Sequence, residues 1–154
     1  MNNKGILLKV LGLLLSSITG FIIILGCLFY NSLLIDMNKI KDYITESNYI
    51  FEQVIENEDK VNKDKGEYIS RLLNIKKGMK NSNTSFLFEK YKERKISSIE
   101  LLINLISEDN EKDKKEWLKL VNKSNEESQE ELNTLMNKGF MEVTYLSFKT
   151  YINL

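Results

Sequence analysis

Histidine and proline are both absent from this chain of 154 residues, and cysteine occurs once, as Cys27. Without histidine, the commonest general base and the commonest transition-metal ligand are missing. A single thiol makes neither an internal disulfide nor a cysteine-based zinc site. Without proline, no ring clash interrupts a helix. Glycine is scarce too: Gly5, Gly12, Gly20 and Gly26 lie early, and only Gly66, Gly78 and Gly139 follow. So few turn formers favour long helices over a sheet-rich fold. Arginine is limited to Arg71 and Arg94, so no guanidinium-rich face exists for phosphate, and nucleic acid is not expected as a partner. No phosphate loop, nucleophile elbow or catalytic carboxylate pair at a telling spacing occurs. The expectation is a protein that is not an enzyme and uses no cofactor or metal.

Charge is balanced overall, with 22 Lys and Arg against 22 Asp and Glu, but unevenly placed. Only Lys4 and Lys9 precede Asp36, and no acid does. Between them lies an uncharged run, Val10 to Tyr30, VLGLLLSSITGFIIILGCLFY. As a helix it extends about 31 Å, enough to cross the hydrocarbon core of a bilayer. Phe29 and Tyr30 suit the far interface. The division expected is a short basic tail over 1–9, a transmembrane signal anchor over 10–32, and a helical domain over 33–154. Lys4, Lys9 and the terminal amine favour a cytoplasmic N-terminus and an extracytoplasmic domain, although Lys39 and Lys41 weaken the bias. Gly12, Ser16 and Gly20 recur every fourth residue, a small-residue face through which two membrane helices could pack.

Cys27 raises a second reading. The basic start, the apolar run and Ile24-Leu25-Gly26-Cys27 resemble a bacterial lipoprotein signal, which implies cleavage before Cys27 and lipid attachment to its thiol. Two features oppose this. The run before Gly26 is longer than a cleavable apolar core. Apolar character also continues past the cysteine through Leu28, Phe29, Tyr30, Leu33, Leu34 and Ile35. In the uncleaved reading Cys27 is one more small apolar residue of a membrane helix.

Beyond the run, Leu33, Met37, Ile40, Ile44, Ser47, Phe51 and Val54 alternate at four and three residues, the spacing of a helix stripe with coiled-coil character. One helix is therefore predicted from the membrane to about Glu58. The polar stretch NEDKVNKDKGE then reads as a turn. A second helix carries Tyr68, Ile69, Leu72, Leu73, Ile75 and Met79, and the side chains of KNSNTS can cap the third. That helix carries Phe88, Tyr91, Ile99, Leu102, Ile103 and Ile106. Asn110 is the candidate cap of the next, which begins its apolar pattern at Trp117, Leu118 and Val121. After Gly139 the residues Met141, Tyr145, Phe148 and Ile152 again fit helical spacing, although strand formers are plentiful there. The fold expected is all-α: an N-terminal transmembrane helix continuing into an antiparallel three- or four-helix bundle.

Several clusters could carry function. Glu126, Glu127, Glu130 and Glu131 place carboxylates at metal-ligand spacing on one helix, but carboxylate-bridged metal bundles also use histidine; a solvated face is the simpler reading. Glu56, Glu58 and Asp59 lack the pattern of a calcium loop. Trp117 is either a core or rim residue or an aromatic ligand platform. Ser124, Asn125 and Ser128 fall where an apolar stripe is expected. A buried polar layer or the lining of a wet cavity would use them so, but the simpler reading is that this stretch is exposed. The functional expectation is a small single-pass membrane protein whose bundle binds a protein or the envelope. Its partners would be membrane lipid and either its own copies or another membrane protein. A surface lipoprotein is one rival. Another follows from the layout, which resembles the extracytoplasmic four-helix sensing module of bacterial chemoreceptors; that resemblance implies small-molecule sensing through a separate partner, since no second span or signalling segment follows.

Overall fold

The structure, a computed structural model, describes residues 3–152; residues 1, 2, 153 and 154, at the ends of the basic tail and of the C-terminal segment, lie outside the described residues. The elements are α1 (Asn3–Glu56), α2 (Glu58–Lys63), α3 (Lys65–Asn81), α4 (Phe86–Ser107), α5 (Glu111–Met136) and α6 (Phe140–Ile152), with no strand among the described residues. The protein is all-α, as its missing prolines and helical spacing predict. The segment after Gly139 is helix, so its β-branched and aromatic residues yield to their spacing.

The element boundaries depart from the sequence reading in one place. The polar stretch after α1 is not a plain turn, because α2 forms within it. The Asn57 carbonyl accepts from Lys60 and Val61 at 3.0 and 3.1 Å. Glu58 and Asp59 suit the positive end of the helix dipole, and Val61 is buried. Asn110 caps α5 as expected, its side-chain oxygen accepting from the Lys112 amide at 2.9 Å. Ser85 precedes α4 but makes no side-chain cap; its hydroxyl donates instead to Asp36.

The chain forms two compact units. One contains α1 up to Leu34 together with the chain from Lys138 onward; the other is Ile35–Asn137. In the second unit, the later part of α1 joins α3, α4 and α5 as a four-helix bundle, and paired contacts give the direction of each helix. Tyr43 meets Gly78, and Glu46 accepts from Arg71 at 3.1 Å, so α1 and α3 run antiparallel. Lys76 pairs with Glu100 at 2.7 Å while Lys65 reaches the Ser107 carbonyl at 2.8 Å, so α3 and α4 are antiparallel. Lys90 pairs with Glu131 and Arg94 with Glu127, which sets α5 antiparallel to α4. This is the up-down topology that short connections between helices favour.

The bundle core contains Ile40, Ile50, Leu72, Met79, Phe88 and Val121, all nearly inaccessible. Phe88 and Tyr91 stack with centroids 4.8 Å apart, and burial pushes the Tyr91 hydroxyl up to about 12. A Cβ at Gly78 would lie 2.5 Å from the Tyr43 ring, which would have to shift to admit it. The first unit has its own buried set, Leu25, Phe29, Leu33, Val143 and Ser147.

Candidate functional site

Inside the bundle the apolar core gives way to a polar layer. Ser47 on α1, Lys95 and Ser98 on α4, and Ser124 and Ser128 on α5 are all buried, with Asn125 half-buried among them. The Asn125 side-chain oxygen accepts from the Ser98 hydroxyl at 2.7 Å and from the Lys95 amine at 3.5 Å. The Ser47 and Ser128 hydroxyls donate back to the carbonyls of Ile44 and Asn125, each within its own helix. Among the described residues no buried side-chain polar atom lacks a partner. Of the three readings for Ser124, Asn125 and Ser128, the structure therefore selects the buried polar layer. Ser47, Ser98 and Ser128 can lie inside because each finds a backbone or cross-helix acceptor.

Lys95 is the group that sequence reasoning missed. Burial lowers its amine pKa from the ordinary lysine value, and among the described residues no carboxylate forms an ion pair with it. Charged residues read as surface, and nothing in KERKISS distinguishes the buried Lys92 and Lys95 from the half-buried Arg94. Lys92, buried as well, pairs with Glu89 at 3.0 Å and donates to the Ser82 carbonyl at 3.2 Å. The space beside Lys95, lined also by Ser47, Asn48, Phe51 and Ser98, measures about 10 Å³. That is room for one water and far below the several hundred Å³ of a small-molecule pocket.

Two open grooves lie on the bundle surface. One, of about 280 Å³, is lined by Lys80, Glu89, Lys92, Glu93, Ile96 and Glu100. The other, of about 250 Å³, combines Val54, Ile55, Leu105 and Leu118 with Glu58, Glu111 and Lys114. Lys114 bonds Glu58 at 2.6 Å, and this carboxylate, with Glu111, raises its pKa. Trp117 is half-buried and is not among the groove-lining residues.

The acidic clusters do not converge. Glu127 and Glu131 turn to Arg94 and Lys90 on α4, whereas Glu126 and Glu130 are exposed. Glu58 belongs to Lys114, and Glu56 and Asp59 are exposed. Among the described residues no group of three or more potential ligands could hold a metal.

The surface of the first unit has a different character. Leu11, Leu13, Leu14, Leu15, Ile18, Phe21, Ile23 and Ile24 are all more than half exposed. α1 is long and apolar enough to span a membrane, and only 6% of its most apolar window is buried. The core helix of a soluble protein would be mostly covered. Gly12 and Gly20 have nothing within 4 Å of a would-be Cβ, and Ser16 is exposed, so the small-residue face is open. Cys27 is an exposed free thiol within the unbroken helix. One contact had no sequence signal: the Ser147 hydroxyl of α6 donates to the Leu25 carbonyl of α1 at 2.9 Å, fully buried. No family model, curated protein or solved structure matches the chain.

Proposed function

We propose that this protein is a single-pass membrane protein that presents its helical bundle outside the cytoplasm to bind a protein or envelope partner. The observation that carries the reading is the long apolar surface of α1, uncharged from Val10 to Tyr30, with only 6% of its most apolar window buried. In water such a surface would be costly at roughly 25 cal/mol per Å²; lipid removes that cost. Lys4 and Lys9 before the span support a cytoplasmic N-terminus, and the open face of Gly12, Ser16 and Gly20 offers room for a second membrane helix. The bundle acts by binding rather than catalysis in this reading, which the absence of histidine supports. The interior space of about 10 Å³ favours a macromolecular partner over an enclosed small ligand.

The test is membrane fractionation with a topology reporter at Leu154. The protein is expected to resist alkaline carbonate extraction and to carry an active extracytoplasmic reporter. Release by carbonate would remove the membrane reading, and a reporter active in the cytoplasm would reverse the orientation. The lipoprotein alternative rests on the exposed thiol of Cys27. Intact mass separates the two forms: retention of Met1 is expected, and a chain starting at an acylated Cys27 would replace the anchor reading.

A further inference from the structure

α6 has a covered face and, opposite it, an exposed apolar one. Val143 and Ser147, one turn apart, are 5% and 1% exposed. Met141, Tyr145 and Phe148, at intervals of four and three, are 81%, 65% and 52% exposed. The first face has a partner, since Ser147 donates its hydroxyl to the Leu25 carbonyl. The second is left open among the described residues.

The height of that anchoring contact identifies the second face. Leu25 lies inside the uncharged run, about 7.5 Å along the helix from Tyr30. If α1 crosses a bilayer, Ser147 sits at the depth of the acyl chains. There a hydroxyl has no water to bond and takes a carbonyl of a neighbouring helix, the kind of contact that joins membrane helices. Phe21 and Ile24 flank Leu25 on α1 and are exposed, so whatever medium surrounds them also reaches α6. The 13 residues of α6 extend about 20 Å, which is too short to cross the hydrocarbon core of about 30 Å. Glu142 is in the first turn, where Lys138 approaches it at 3.6 Å, so this acid does not enter unpaired.

We propose that α6 is a second membrane-contact element. It is a half-length helix seated on α1 within the leaflet nearer Tyr30, with Met141, Tyr145 and Phe148 covered by lipid acyl chains. This rests on the membrane reading of α1. A single span would then contact lipid over a broader footprint in one leaflet than in the other.

Short-range quenching by lipid tests it. In the full chain carrying Trp117→Phe, a single tryptophan is placed by Tyr145→Trp, by Phe148→Trp, or by Ile24→Trp on the exposed face of α1. Each protein is reconstituted in phosphatidylcholine vesicles with or without bromine on the acyl chains. The two positions on α6 are expected to lose emission to the brominated lipid as strongly as Ile24→Trp does, with blue-shifted spectra. Two outward positions guard against one variant misfolding, and each must keep the parent helicity. Quenching at Ile24→Trp alone would overturn the proposal and leave the membrane span standing; a second copy or another protein would then cover α6. Quenching at none of the three would overturn both.

Discussion

Lys95 is the residue whose environment most opposes its chemistry. Its amine is buried beside Ser98 and Asn125 with a single long hydrogen bond, and desolvation lowers its pKa. In the window between that lowered value and the ordinary lysine value, the unfolded chain binds more protons than the folded one. Stability therefore rises with pH through the window and falls as pH drops through the folded value. Lys95→Met keeps the length and apolar stem while removing the charge. It is expected to stabilise the bundle by about 1 kcal/mol at neutral pH, seen as a higher melting temperature in detergent micelles. The gain should shrink as pH rises through the lowered folded value toward the ordinary lysine one. A variant that melts lower at neutral pH would mean that the charge is satisfied. The surrounding serines were partly legible: Ser47, Ser124 and Ser128 stand at stripe positions. Their side is ambiguous from sequence because a serine is at home in water or against a helix carbonyl.

Among the elements, the stripe on α1 was read correctly at Leu33, Ile40 and Ser47, which are buried, while Met37, Ile44, Phe51 and Val54 are half-buried at its edges. Periodicity marks the inward face of a helix; it does not name the neighbour. The join between α1 and the α3–α4 connection was accordingly invisible. Asp36 is 2% exposed and accepts from both the amide and the hydroxyl of Ser85, with Lys39 beside it at 3.1 Å. Lys39 in turn donates to the Asn83 carbonyl at 2.6 Å. This clasp engages Ser85, one of the KNSNTS side chains expected to cap α4, because a buried carboxylate is the stronger acceptor. Asp36→Ala would strand the Ser85 amide without its acceptor and is expected to cost about 2 kcal/mol. Asp36→Asn retains one acceptor oxygen and should cost less. Thermal melts followed by circular dichroism order the three proteins, and equal melting of wild type and Asp36→Ala would show that the clasp contributes nothing.

At the scale of the whole molecule, the chain divides where neither hydropathy nor turn signals announced it. The residues from Lys138 onward group with the first part of α1 rather than with the bundle. Gly139 marks a break between helices in the sequence, but the spacing of Met141, Tyr145 and Phe148 suits a bundle face and a lipid face equally. What assigns the segment is Ser147 against Leu25, a contact between residues far apart in the chain. The unit Ile35–Asn137 keeps α3, α4, α5 and the later part of α1, with the core from Ile40 to Val121 and the ion pairs between α3, α4 and α5 all internal to it. At roughly 100 residues it is long enough to bury a core of its own. The excised fragment 35–137 is therefore expected to dissolve without detergent. It should be helical by circular dichroism and unfold in urea as one cooperative transition, with a stability of roughly 5–10 kcal/mol. The groove at Val54, Ile55, Leu105 and Leu118 lies within the same unit, so the fragment is also the form in which to test the partner binding proposed for the bundle. Precipitation without detergent, or a broad non-cooperative melt, would mean that the bundle depends on the apolar unit for its fold and that the two are a single folding body.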